Sequence, residues 1–404
     1  MLGLAACSTP DAEVGEIGAV KGFLGGAVIE EPHAALLARD ALSAGGSAAD
    51  AAVAAFFGLT VTYPAAVGLG GGGVCLYYDH RQNIAETLDF RLRAPAAGGD
   101  IAVPGTLRGM ALLHSRYGRL RWAQLIAPAE TMARFGHQMS RAMARRLAPA
   151  AARLDADALA KRIFLNPDGA ARQEAGGLIQ VELAALLTRI RSRGIADLYG
   201  GESGRQFVAA ANSQGGKLTM RDLRGYRATW GKTVQRKVGN NVLHRPVLTG
   251  AGGGTAAGEA ALVVADRFGS AVACVFGMNG EFGLGRMVPT LGLFLAPSGA
   301  GGQRPEPLLA VNHHIEEAHL AVAGSGGAAG NQAAARIAEA TLAGGRSLTD
   351  AVAAMLASSG DRRPGPGAGL VQAIWCKGGI RSKPEGCRFA TDPRGFGLVS
   401  GARF

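Results

Sequence analysis

Aromatic residues are scarce in this chain, with 14 Phe, 6 Tyr and 3 Trp among 404 residues, and no basic patch interleaved with aromatics stands out. Nucleic-acid surfaces need clustered cations for the phosphates and, for single strands, rings for the bases. Here 42 Lys and Arg face 31 Asp and Glu, but the cations are dispersed, as at Arg141, Arg145, Arg146, Arg153, Lys161 and Arg162. The net charge of +11 therefore reads as a solvated surface, and no nucleic-acid partner is expected. Cysteine is sparse too: the five stand at 7, 75, 274, 376 and 387, without the close pairing of a zinc site, so no metal is expected. Long apolar runs are lacking. The longest uncharged stretch, Ala51 to Tyr78, is broken by Pro64 and six glycines, which excludes a membrane-spanning helix there. Its glycine run, Gly68 to Gly73, enters a strand rather than a helix with a following Lys, so it is no phosphate-binding loop.

Small residues are what the chain has in plenty. Its 62 Gly and 17 Pro stay below the level of low complexity and point to tight turns and closely packed layers. The length suffices for one large domain or two ordinary ones. Near the start, Leu4-Ala5-Ala6-Cys7 has the form of the lipidation site of an exported bacterial lipoprotein, although six residues are too few for an export signal before it. Either the true start lies upstream or Cys7 is incidental. The first reading is preferred, and it predicts a periplasmic or exported protein with Cys7 as a membrane anchor. Cys376 and Cys387 bracket a short Gly- and Lys-containing loop, and in that setting a disulfide between them is expected.

Along the chain, Pro32 opens a helix that ends at Gly45-Gly46, and Ser47 starts a second, Ala-rich one with Asp50 near its positive end. Strands follow at Val74 to Tyr78 and Glu86 to Phe90, the second leading to Arg91. An Arg at the end of a core strand suits a carboxylate, whose two oxygens match its fork, but a surface ion pair is an equal reading. Ala260 to Ala265 and Ser270 to Phe276, joined by Asp266-Arg267-Phe268-Gly269, read as a buried hairpin. Before it, glycines at 250 and 252 to 254 surround Thr255. A Thr released by backbone cleavage there would carry its own general base, the new α-amine, beside its Oγ. The plainer reading is a Gly-rich loop entering a core hairpin.

Several segments together resemble the γ-glutamyltransferase (γ-glutamyltranspeptidase) family. They are GGSAADAAVAAFFGLTVTYPAAVGLGGGGVCLYYD, LDFRLRAP, VPGTLRGMALLHSRYGRLRWAQLIAPA, LYGGESGRQFVAAANSQGGKLTMRDLRGYRA and the closing Asp392-Pro393-Arg394, in family order along nearly the whole chain. The resemblance implies an α+β fold, the four-layer αββα sandwich of N-terminal-nucleophile hydrolases, over about residues 20–404. A large-subunit-like part (20–254) and a small-subunit-like part (255–404) would follow an exported or lipidated tail at 1–19. It also implies transfer of the γ-glutamyl group from amides such as glutathione to water or an amino acid, without a cofactor, after self-cleavage before the nucleophile. Position by position, Arg91 matches the Arg that holds the glutamyl α-carboxylate, and Asn279 in MNGEFGLG matches an Asn near the substrate. Gly326 and Gly327 in GSGGAAG match the Gly pair whose N–H groups form the oxyanion hole. They precede an Ala-rich helix expected from Asn331 to Leu342, so free N–H groups and the positive helix end point at one place.

The chain also departs from the family pattern. Counted back from Gly269 without gaps, the nucleophile falls on Glu259; Thr255 takes its place only with four residues inserted. A Glu cannot perform the hydroxyl attack on its own preceding carbonyl that self-cleavage requires. The expectation is therefore a shortened, diverged γ-glutamyl acyl transferase or hydrolase with Thr255 as nucleophile. Its alternative is a catalytically inactive member that binds a ligand or partner.

Overall fold

The longest strands show no alternation of apolar and polar residues because both of their faces are buried. The computed structural model describes residues 23–249, 257–299, 304–359 and 369–401. Its strands in the first half are β1 (Gly25–Ile29), β2 (Gly72–Asp79), β3 (Ile84–Asp89), β4 (His137–Gln138), β5 (Gly177–Leu178), β6 (Thr229–Gly231), β7 (Thr233–Val238) and β8 (Asn241–Pro246). The second half adds β9 (Glu259–Asp266), β10 (Ala271–Gly277), β11 (Met287–Val288), β12 (Leu293–Phe294), β13 (Leu308–Asn312), β14 (Glu317–Ser325), β15 (Leu370–Cys376), β16 (Cys387–Thr391) and β17 (Leu398–Gly401). One sheet runs β17-β1-β9-β10-β2-β3-β6 and the other β16-β15-β14-β13-β8-β7; β4 with β5 and β11 with β12 make two small ribbons. All described pairings are antiparallel.

The period of two in a strand then sorts each residue to one of three apolar layers. In β9, Ala260, Leu262 and Val264 face the helices Pro32–Ser43 and Ala48–Thr62, while Ala261, Val263 and Ala265 face the other sheet. In β15, Val371, Ala373 and Trp375 face the helices Ala328–Leu342 and Leu348–Ser359, while Ile374 and Cys376 face inward. The result is helix, sheet, sheet, helix, the expected αββα sandwich.

Ala48–Thr62 is buried along all 15 residues, as its Ala-rich, all-round apolar sequence requires. Ser47 and Asp50 close a reciprocal cap at its start. Burying its Phe56, Phe57 and Leu59 contributes about 1.5–3 kcal/mol each. The predicted hairpin is β9–β10, with Gly269 donating to the Asp266 carbonyl in its turn.

Cys376 and Cys387 are register partners on β15 and β16 and form the expected disulfide. A second one, which the spacing did not suggest, joins Cys75 of β2 to its partner Cys274 of β10, 199 residues later.

Candidate functional site

β9 begins and β14 ends at the same edge of the sandwich, and the two meet there through Glu259. Gly326 and Gly327 follow β14 with φ of 93° and 63°, a left-handed course that a Cβ would strain. This turns both of their N–H groups to one side, at the start of helix Ala328–Leu342, which Gly327 caps without any side-chain bond. Both donate to the same oxygen, Oε2 of Glu259, at 3.0 and 2.8 Å. The carboxylate oxygen thus occupies the place that an oxyanion would take in an acyl-transfer site. The helix itself begins at Ala328, three residues before the expected Asn331, and the N–H pair expected to be free is engaged by Glu259.

Glu259 is 3% exposed, and burial pushes its pKa from 4.5 up to about 7. The N–H bonds from Gly327 and Gly326 pull the other way without overcoming burial, and the nearby Glu30 adds to the rise. Glu30, also buried, accepts hydrogen bonds from the Ser325 hydroxyl and, at 2.9 Å, from the N–H of Ala261. Its pKa too is raised, chiefly by burial and against the pull of Arg146.

Arg146 is the cation that ties this acidic group together. Its guanidinium lies 3.4 Å from Glu30 and 3.1 Å from Glu281, donates to the Glu259 carbonyl at 3.0 Å, and sits over the Tyr63 ring. The sequence reading that counted Arg146 among solvated surface cations is corrected on this point. Charge neutralisation by Glu30 and Glu281 is what draws it in.

Arg91 is buried just after β3. Its Nε and Nη2 donate to the two oxygens of Asp89 at 3.0 and 2.8 Å, and Nη2 also donates to the Thr249 carbonyl at 2.8 Å. The Tyr226 hydroxyl holds the Arg91 carbonyl at 2.7 Å. The fork therefore grips a carboxylate of the chain itself. Asn279 follows β10 at φ 52° and donates to the Pro297 carbonyl at 3.1 Å.

Glu259, Arg91 and Asn279 line one small cleft with Gly72, Gly73 and Pro305. It holds about 20 Å³, little more than a water molecule needs, so a larger ligand enters only if a lining group moves. The structure thus brings together Arg91, Asn279, Gly326 and Gly327; Thr255 lies outside the described residues, as does Cys7. Sequence reasoning did not foresee the cluster of Glu30, Arg146 and Glu281. No local motif signals it, since Arg146 meets partners 116 and 135 positions away.

Layer order, strand pairing and the convergent N–H pair define the αββα sandwich of N-terminal-nucleophile hydrolases. A family model described as Gamma-glutamyltranspeptidase matches residues 34–260, more than half of the chain, and the chain belongs to that family. The glutathione hydrolase proenzyme of Bacillus subtilis (strain 168) is 33% identical over 220 residues, 49% of this chain and 37% of the relative. Scoloptoxin SSD14 of Scolopendra dehaani is 33% identical over 199 residues, 45% of this chain and 34% of the relative. The chain thus spans little more than a third of the length of these curated relatives. The crystal structure of cephalosporin acylase from Bacillus halodurans superposes with a TM-score of 0.76 over 99% of both chains at 18% identity, a likeness of fold alone.

Proposed function

We propose that the chain catalyses γ-glutamyl acyl transfer, taking the γ-glutamyl group from amides such as glutathione and passing it to water or an amino acid. The observation that carries this reading is the pair of N–H groups of Gly326 and Gly327 on one carboxylate oxygen, the arrangement that stabilises a tetrahedral oxyanion. Family membership and the adjoining Arg91 and Asn279 support it.

In the proposed reaction Thr255, released as a new N-terminus by cleavage after Gly254, is the nucleophile. Its Oγ bonds to the γ-carbonyl carbon while its proton passes to the Thr255 α-amine. The carbonyl oxygen becomes the oxyanion on the N–H pair. Collapse breaks the C–N bond, and the departing amine takes the proton. Water or an amino-acid amine then attacks the ester and restores Thr255. Arg91 would hold the substrate α-carboxylate and Asn279 would flank it. Because the Glu259 carboxylate occupies both N–H groups, the reaction requires it to leave them; Thr255, four residues earlier, lies within about 14 Å of chain.

Export is part of the proposal. Two disulfides suit an oxidising compartment, and Leu4-Ala5-Ala6-Cys7 suits a lipid anchor. No described helix is long and apolar enough to cross a membrane.

One observation favours a second reading, a non-catalytic family member that binds a ligand or partner. Glu259, on which the family nucleophile falls when no gap is allowed, itself fills the N–H pair. A denaturing gel with N-terminal sequencing, and release of a chromogenic γ-glutamyl anilide, separates the two. Acyl transfer predicts two fragments, the smaller beginning at Thr255, an intact Thr255→Ala variant, and anilide release by the parent alone. A single uncut, inactive chain selects the second reading.

A further inference from the structure

At the other end of the second sheet a larger cavity, about 510 Å³, opens between the β7–β8 turn, the start of β14, the end of β15 and the segment joining the last two helices. His319, on its wall, lies about 20 Å along β14 from Ser325 and the acyl-transfer site. That volume falls in the range of about 300–1,000 Å³ typical of small-molecule sites.

Three features of its lining point to one kind of ligand. Arg346, Lys377 and Arg388 all line it, and no Asp or Glu does. Among the described residues, neither Arg346 nor Lys377 has a carboxylate partner, and the Arg388 guanidinium bonds only to the Glu385 and Cys387 carbonyls. Cations gathered without counter-charge raise the local potential and favour an anion. Part of the wall is apolar and aromatic: Trp375 packs edge-on against His319, with ring centroids 6.3 Å apart, and Leu342 and Leu348 also line the cavity. Two buried polar atoms of the lining have no partner, Nε2 of His319 and Oδ1 of Asn241, and His319 is only 8% exposed. A buried polar group left without a partner destabilises the fold unless something bonds it. Burial keeps the His319 pKa low, so its ring is neutral and can donate or accept.

We propose that this cavity binds a small aromatic anion, a ring bearing a phosphate or carboxylate. The ring lies against Trp375 and the neighbouring leucines and hydrogen-bonds to His319 and Asn241, and the anionic group rests on Arg346, Lys377 and Arg388. The site is separate from the acyl-transfer site and stands whether or not the chain is catalytic.

Isothermal titration of the full chain with AMP, indole-3-acetate, inorganic phosphate and adenosine tests this. The three cations are exposed, so the double variant Lys377→Glu/Arg388→Glu leaves the core untouched, and an unchanged melting temperature verifies it. AMP or indole-3-acetate is expected to bind, with phosphate alone and adenosine alone weaker. The double variant should weaken that binding by roughly tenfold or more, because two of the three cations become repulsive. Asn241→Leu should weaken it as well without altering phosphate binding. The proposal is overturned if neither aromatic anion binds, if the folded double variant binds as tightly as the parent, or if phosphate alone binds as tightly as AMP.

Discussion

Replacing Glu259 by Gln isolates the electrostatics of the candidate site, because Gln keeps the volume and an amide oxygen that can accept both N–H bonds. What it removes is the ionisable group. In the folded chain that group has a pKa of about 7 against an ordinary 4.5, so between those values the folded state carries a proton that the unfolded state has lost. A pKa raised by folding adds stability that is fully present below pH 4.5 and is lost as pH rises through about 7. At about 1.4 kcal/mol per pH unit, the loss between pH 5 and pH 8 is about 2.5 kcal/mol. Asp266 also has a raised value, but it remains in the variant and cancels in the comparison; Glu30 remains too, and because its charge is coupled to Glu259 it cancels only in part. Urea unfolding of parent and Glu259→Gln at both pH values, without reductant, measures the difference. The variant should gain about 2.5 kcal/mol on the parent between pH 5 and pH 8. A difference that does not change with pH would refute the burial of an ionisable Glu259 against the Gly326–Gly327 pair.

Further outcomes follow from Arg91 and from the two disulfides. Arg91→Lys replaces a fork by a single ammonium against the buried Asp89, which should lower the unfolding free energy by about 2 kcal/mol and weaken a γ-glutamyl amide in calorimetry; equal affinity in both proteins removes Arg91 from the site. Thiol counting under denaturing conditions should find Cys75, Cys274, Cys376 and Cys387 all blocked. Removing the 75–274 bond, which closes the longer loop, should cost about 5 kcal/mol against about 3 kcal/mol for 376–387 on the chain-entropy scale. Equal losses would contradict that scale.

Much of the scaffold was legible because its signals are local. Pro32 after Glu31, the reciprocal Ser47–Asp50 cap and the apolar runs flanking Asp266 to Gly269 each act within a few residues, and each element formed at or within a few residues of the expected place. The Gly326–Gly327 turn was legible too, since two glycines before an Ala-rich stretch mark a helix start with its N–H groups exposed. For Glu259 only its place at the start of a strand was local information.

What occupies the Gly326–Gly327 pair was decided by the tertiary structure. The carboxylate that fills it comes from 67 residues earlier, and only the stacking of β9 in one sheet beside β14 in the other brings them within 3.0 Å. Arg146 reads as a surface cation in its own helix and becomes a half-buried bridge because Glu30 and Glu281 fold against it. Cys75 and Cys274 become partners through strand register alone. Chain-local chemistry thus determined which helices and strands form and where they stop. Long-range packing determined which charged and reactive groups meet, because a polar side chain takes its role from the neighbours that burial imposes on it.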